Sequence, residues 1–102
     1  MKYVPSFPRG STFRTRLSLE VGLKGWAFSS QARQAVGNRS LNPLTCREID
    51  VDDACVVEIE CATDQWPLSV VLIDVRAEQG SEVVTAETIQ ISVSREVTNG
   101  SA

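Results

Sequence analysis

Hydrophobic and polar residues alternate most regularly across residues 69–98. Val71, Ile73, Val75 and Ala77 alternate with Leu72, Asp74, Arg76 and Glu78, and later Ile89, Ile91, Val93 and Val97 alternate with Gln90, Ser92, Ser94 and Glu96. Successive side chains of a strand point to opposite faces, so each run predicts a strand with one apolar and one polar row. Gly80 lies in the polar run 78–82, where a reversal needs a residue that tolerates positive φ. The two strands are therefore expected to form a hairpin. Its inner row belongs to a core, and its outer row (Asp74, Arg76, Glu78, Gln90, Ser92, Glu96) is open to a partner.

The same period recurs upstream. Phe13, Thr15, Leu17, Leu19 and Val21 alternate with Arg14, Arg16, Ser18 and Glu20, a pattern that fits an antiparallel strand with one buried face. Gly22-Leu23-Lys24-Gly25 reads as a hairpin connection to a second strand, in which Trp26, Phe28, Ser30 and Ala32 share a row. Two aromatics on one row predict the large end of the core. Residues 34–44 contain Gly37-Asn38-Arg39-Ser40 and Asn42-Pro43 and read as a loop, with a short strand at Leu44-Thr45-Cys46. The stretch 48–53 reads as a weak strand or an acidic loop. Residues 54–61 form a clear strand, with Cys55, Val57, Ile59 and Cys61 inward and Val56, Glu58 and Glu60 outward. Thr63 or Asp64 then caps a single helical turn that Pro67 ends, placing Trp66 as a plug at one end of the domain.

Residues 1–8 hold Tyr3, Val4 and Phe7 with Pro5 and Pro8. Prolines remove donors and favour extended backbone, so this segment is expected to be an arm; its apolar side chains need cover from this subunit or from a neighbour, and packing on an adjacent subunit is the reading preferred here. The fold class that follows is all-β. It is a single small antiparallel β-sandwich or flattened barrel of about six to eight strands over residues 9–98. The extended N-terminal arm precedes it, and a polar tail, 99–102, follows.

Composition sharpens this picture in three ways. The 102 residues suffice for one core, and no apolar run approaches the ~20 residues of a membrane helix. Met1-Lys2-Tyr3-Val4-Pro5 lacks the apolar region of a signal peptide, which makes folding in a cytoplasm the expectation. The net charge of −3 conceals an asymmetry. Residues 1–47 carry eight basic side chains against Glu20, whereas residues 48–102 carry twelve acids against Arg76 and Arg95. The halves attract each other within one domain, and any excess on opposite sides favours head-to-tail contact between copies.

The chain contains no histidine, which removes the usual general base and most zinc ligand sets. Cys55 and Cys61 lie on one face of one strand, roughly 20 Å apart at ~3.3 Å per residue, too far to bridge. With Cys46 they read as small core hydrophobes. Asp50, Asp52 and Asp53 lack the glycine and terminal glutamate of a calcium loop. No catalytic, cofactor or metal residue emerges, so the chain is expected not to be an enzyme. A single-stranded nucleic-acid binder on a small β-barrel is the rival reading. Five of six aromatics (Tyr3, Phe7, Phe13, Trp26, Phe28) lie in the basic half, beside Arg9, Arg14, Arg16, Lys24 and Arg33. The acidic total and the inward row of Trp26 and Phe28 count against it.

Two stretches carry a resemblance. The opening Arg9-Gly10-Ser11-Thr12-Phe13 is one. The closing Ile73-Asp74-Val75, Gly80, Val84-Thr85-Ala86-Glu87-Thr88, Ile91-Ser92-Val93 and Glu96-Val97-Thr98 form the other. Together they resemble small β-sandwich virion proteins of tailed bacteriophages, of the baseplate or fibre-attachment type. In those proteins a strand with an Asp-containing segment turns at glycine and returns through a Thr-rich strand to a terminal Val-Thr. The resemblance implies a non-enzymatic virion structural protein of the tail, baseplate or fibre-attachment apparatus, located in the virion after synthesis in the host cytoplasm. Its partners would be other virion proteins and copies of itself, with no membrane, cofactor or small-molecule substrate and with nucleic acid disfavoured. A capsid cement or decoration protein, and a non-viral adhesion-type β domain, are the alternatives. The residues expected to meet partners are Tyr3, Val4, Phe7 and Arg9 in or beside the arm, Arg14 and Arg16 on the basic face, and Asp74 and Arg76 on the hairpin.

Overall fold

The structure, a computed structural model, describes residues 1–95. Seven strands form it: β1 (Lys2–Pro8), β2 (Phe13–Leu19), β3 (Ala27–Gln34), β4 (Ser40–Ile49), β5 (Cys55–Cys61), β6 (Val70–Gln79) and β7 (Glu82–Ser94). They make one mixed sheet in the order β1-β7-β6-β3-β4-β5-β2, curled into a half-barrel. β4 produces the curl: its first half pairs with β3 as far as Leu44, and from Thr45 to Ile49 it pairs with β5. The alternation that predicted an all-β domain is the alternation of burial. Val71, Ile73 and Val75 on β6, Ile89, Ile91 and Val93 on β7, Val57 and Ile59 on β5, and Phe13 and Leu17 on β2 line the concave side.

The hairpin forms as its pattern requires, with Ile73 opposite Ile89, Val71 opposite Ile91, and Gly80 turning at φ 60°. Its second arm begins at Glu82, earlier than the apolar row suggested, because Val83 and Val84 extend the pairing beyond the core. An extra residue at Ala86 shifts the register between Val75 and Arg76. Val97 and Glu96, assigned above to this arm, lie outside the described residues, as does the tail 99–102.

Several expectations are corrected. The N-terminal segment is no free arm: β1 pairs parallel with β7, Lys2 opposite Ile89 and Val4 opposite Ile91. Val4 and Phe7 pack on this subunit's own core, and that apolar contact outweighs the proline signal. The prolines are tolerated because β1 is an edge strand with a register shift between Val4 and Phe7. The pair β1–β7 also makes the sheet mixed rather than antiparallel throughout. Gly22–Gly25 does not close a hairpin. Val21–Leu23 form a single 3-10 turn, and β2 and β3 lie apart in the sheet with β4 and β5 between them. Residues 34–44 are mostly strand rather than loop. The reversal is confined to residues 35–39, where Gly37 and Asn38 take positive φ and the Gln34 N–H donates to the Arg39 carbonyl. Pro43 fits in β4 beside a bulge of the β3 ladder, where a missing donor costs little. The stretch after β5 is a β-turn closed by Trp66 N–H on the Thr63 carbonyl, not a helical turn. Trp26 and Phe28 are only half-buried; the aromatic end of the core is Phe7, Phe13 and Trp66.

Candidate assembly surfaces

The two edge strands, β1 and β2, are consecutive in sequence yet stand at opposite ends of the strand order. Residues 9–12 span from one to the other, and the curl brings their aromatics together. Phe7 meets Phe13 edge-on at 5.3 Å between centroids, and Trp66 lies 6.5 and 6.0 Å from the two rings. Trp66 is 1% exposed, and its indole N–H donates to Asn42 Oδ1 at 2.7 Å, so its polar atom is satisfied where its ring is buried. Thr63, wholly buried, clamps the link. Its hydroxyl accepts from Gly10 N–H at 2.9 Å and donates to the Ser11 carbonyl at 2.7 Å. Arg9 Nη1 reaches the Trp66 carbonyl at 3.5 Å.

Of the residues expected to meet partners, Val4 and Phe7 are thus turned inward, while Tyr3 stands 67% exposed on β1. Arg14 and Arg16 lie on the outer face of β2, opposite Glu60 and Glu58 of β5. Arg14 Nη2 donates to Glu60 at 2.9 Å and Arg16 Nε to Glu58 at 3.1 Å. Arg47 on β4 joins through Nε and Nη2, both on Glu58 Oε1. The hydrogen bond from Arg16, then that from Arg47, holds the Glu58 carboxyl below its ordinary range, and Glu60 raises the Arg14 guanidinium. The basic and acidic halves therefore interleave strand by strand instead of facing opposite ways. Two arginines two residues apart, against two glutamates two residues apart, were the sequence signal for this ladder.

Asp74 and Arg76 lie on β6, away from that ladder, in an open polar groove of about 810 Å³ shared with Gln31, Arg33 and Asn38. Arg33 Nε donates to Asp74 Oδ2 at 2.7 Å and Thr88 Oγ1 to Asp74 Oδ1 at 3.0 Å. Partial burial pushes the Asp74 carboxyl up, but the bonds from Arg33 and Thr88 outweigh it and hold the group below its usual value. Arg76 is exposed and makes no ion pair among the described residues. The eight expected residues thus fall into three places: the β1 edge and its link, the β2–β5–β4 ladder, and the β6 groove.

The cysteines behave as core groups. Burial raises all three thiols, Cys61 to about 11, the opposite of what a nucleophile needs. Thr63 and Asn42 organise the closed end; the sequence marked them only as a turn cap and a turn former, because the segments on which they act lie far along the chain. No protein-family model and no curated protein matches this chain.

Proposed function

We propose that this chain is a non-enzymatic structural subunit of a tailed-bacteriophage virion, in the tail, baseplate or fibre-attachment apparatus. The observation that carries the assembly part of this reading is the open sheet: among the described residues, β1 and β2 each have a strand on one side only. An open edge in a small all-β subunit is a place where a neighbour extends the sheet or packs on it. Tyr3, exposed on β1, and the alternating Arg–Glu ladder supply an aromatic anchor and directional charge of the kind found at specific interfaces. The raised thiols and the absence of histidine support a role without nucleophilic chemistry. The virion assignment itself comes from the resemblance of the two end motifs.

Removing residues 1–8 is a poor test, because it would strip a strand from β7 and uncover Ile91 and Val93. Tyr3→Asp changes only the exposed ring. Expressed from the chain's own locus, the variant should fold with unchanged thermal stability and fail to enter particles purified from the cells. Normal incorporation of Tyr3→Asp would remove Tyr3 from the interface, and absence of the unaltered chain from all particles would overturn the virion reading.

A further inference from the structure

The groove over β3 and β6 has more positive than negative charge in its lining. It spans β4, β3, β6 and β7 and sets Arg33 and Arg76 against the single carboxylate of Asp74. Both Asp74 oxygens are engaged, one by Arg33 Nε and the other by Thr88 Oγ1. Arg33 Nη1 donates to Asn38 Oδ1, which leaves Nη2 without a hydrogen bond among the described residues. Arg76 stands exposed, and Ser40 and Thr85 add exposed hydroxyls from β4 and β7. Pro43 is the one apolar residue of the lining. The groove therefore suits a carboxylate carried on a polar segment. Because it is wide open, a small anion would stay largely hydrated in it, whereas a carboxylate on an already folded segment loses little freedom on binding.

The same chain presents such a segment. The turn over residues 50–54, between β4 and β5, holds Asp50, Asp52 and Asp53, all exposed and without an ion pair among the described residues. Lys24 fixes this turn through its backbone: Nζ donates to the Val51 carbonyl at 2.6 Å and to the Ala54 carbonyl at 3.0 Å. The carboxylate beside that ammonium is Glu48, at 3.9 Å, so the three aspartates keep their charge for another surface. We propose that the acidic turn of one copy docks in the groove of the next, with its carboxylates on Arg76 and Arg33. A copy cannot fill its own groove. Seven residues along β4 separate Pro43 from Asp50, roughly 23 Å at ~3.3 Å per residue. Each copy offers one turn and one groove, so the contact is heterologous, runs head to tail, and builds a ring or an open chain. It is small and polar, so association in free solution is weak and strengthens when other contacts hold the copies together.

The contact rests on the groove and the turn and not on the virion assignment. Sedimentation velocity on the full chain, over a wide concentration range at low and high salt, reads it with three variants. The unaltered chain should associate at low salt and dissociate as salt screens the exposed charges. Arg76→Glu and Asp52→Lys each place like charges across the contact, and each should weaken association about tenfold with unchanged thermal stability. An equimolar mixture of these two variants should recover association, because opposite charges face each other again wherever unlike copies meet. Lys2→Glu makes the same change of charge as Arg76→Glu but on β1, away from the groove, and should leave association intact. A chain that stays monomeric at low salt and the highest soluble concentration overturns the proposal. So does an Arg76→Glu variant that associates like the unaltered chain, a mixture that fails to recover association, or a loss in Lys2→Glu equal to that in Arg76→Glu. Each of those results would leave the particle test of the virion reading untouched.

Discussion

Thr63→Val is the most direct probe of how the curled sheet is held. The substitution keeps the shape of the side chain and removes only the hydroxyl, which bonds both Gly10 N–H and the Ser11 carbonyl in the link between the two edge strands. A net intramolecular hydrogen bond contributes about 1 kcal/mol, and stranding its partners costs more where water cannot reach them. Gly10 and Ser11 are themselves exposed, so water recovers part of that penalty. The expected loss is about 2 kcal/mol. For a domain of this size it lowers the melting temperature by roughly 8–16 °C. Thr63→Ser is the counterpart: it keeps both bonds and removes a buried methyl, costing about 0.8 kcal/mol. Urea and thermal unfolding of the two variants give the order wild type, Ser, Val. Amide exchange at Gly10 should accelerate in Val and stay protected in Ser. A Val variant within about 0.5 kcal/mol of wild type, or one more stable than Ser, would refute the clamp.

Asp74→Asn tests the groove: it replaces the ionised partner of Arg33 and should cost about 1–2 kcal/mol at neutral pH, measured by urea unfolding. Because the folded carboxyl titrates below its ordinary value near 4, its contribution is complete above that value and is lost as pH falls through the folded one. The gap between wild type and Asp74→Asn should therefore close on acidification; a gap that widens below pH 4 would contradict the assignment. Cys61, raised to about 11 by burial, should resist iodoacetamide at pH 8 in the folded chain and react once urea unfolds it, with half-exposed Cys46 modified first. Mass spectrometry of the alkylated peptides reads the order, and modification of Cys61 ahead of Cys46 would count against it.

What the sequence made legible was local. Period-two rows on β5, β6 and the later part of β7 have both the pattern and the burial, because a strand with one face on a core must alternate. Gly80 announced its turn because positive φ is a local need. Pairing was not legible. Nothing in residues 1–8 says that Val4 will lie opposite Ile91, and two prolines argued against a strand that tertiary contact then imposed. The short link 22–25 resembled a hairpin, yet both flanking strands found better partners elsewhere in the sheet. The same limit hid the candidate surfaces. Arg14, Arg16 and Asp74 were visible as polar positions, and the spacing of Glu58 and Glu60 matched that of the two arginines, but which strand lies beside which is set by register.

Counting copies of the chain in purified particles decides whether the proposed virion subunit is a built-in part. Particles released by cells that express the chain from its own locus can be banded on a density gradient, washed in high salt, and quantified with isotope-labelled peptides against the most abundant particle protein. A structural subunit should be present in a fixed number of copies per particle that survives the salt wash. Absence from the banded particles, or a copy number that falls with washing, would contradict it.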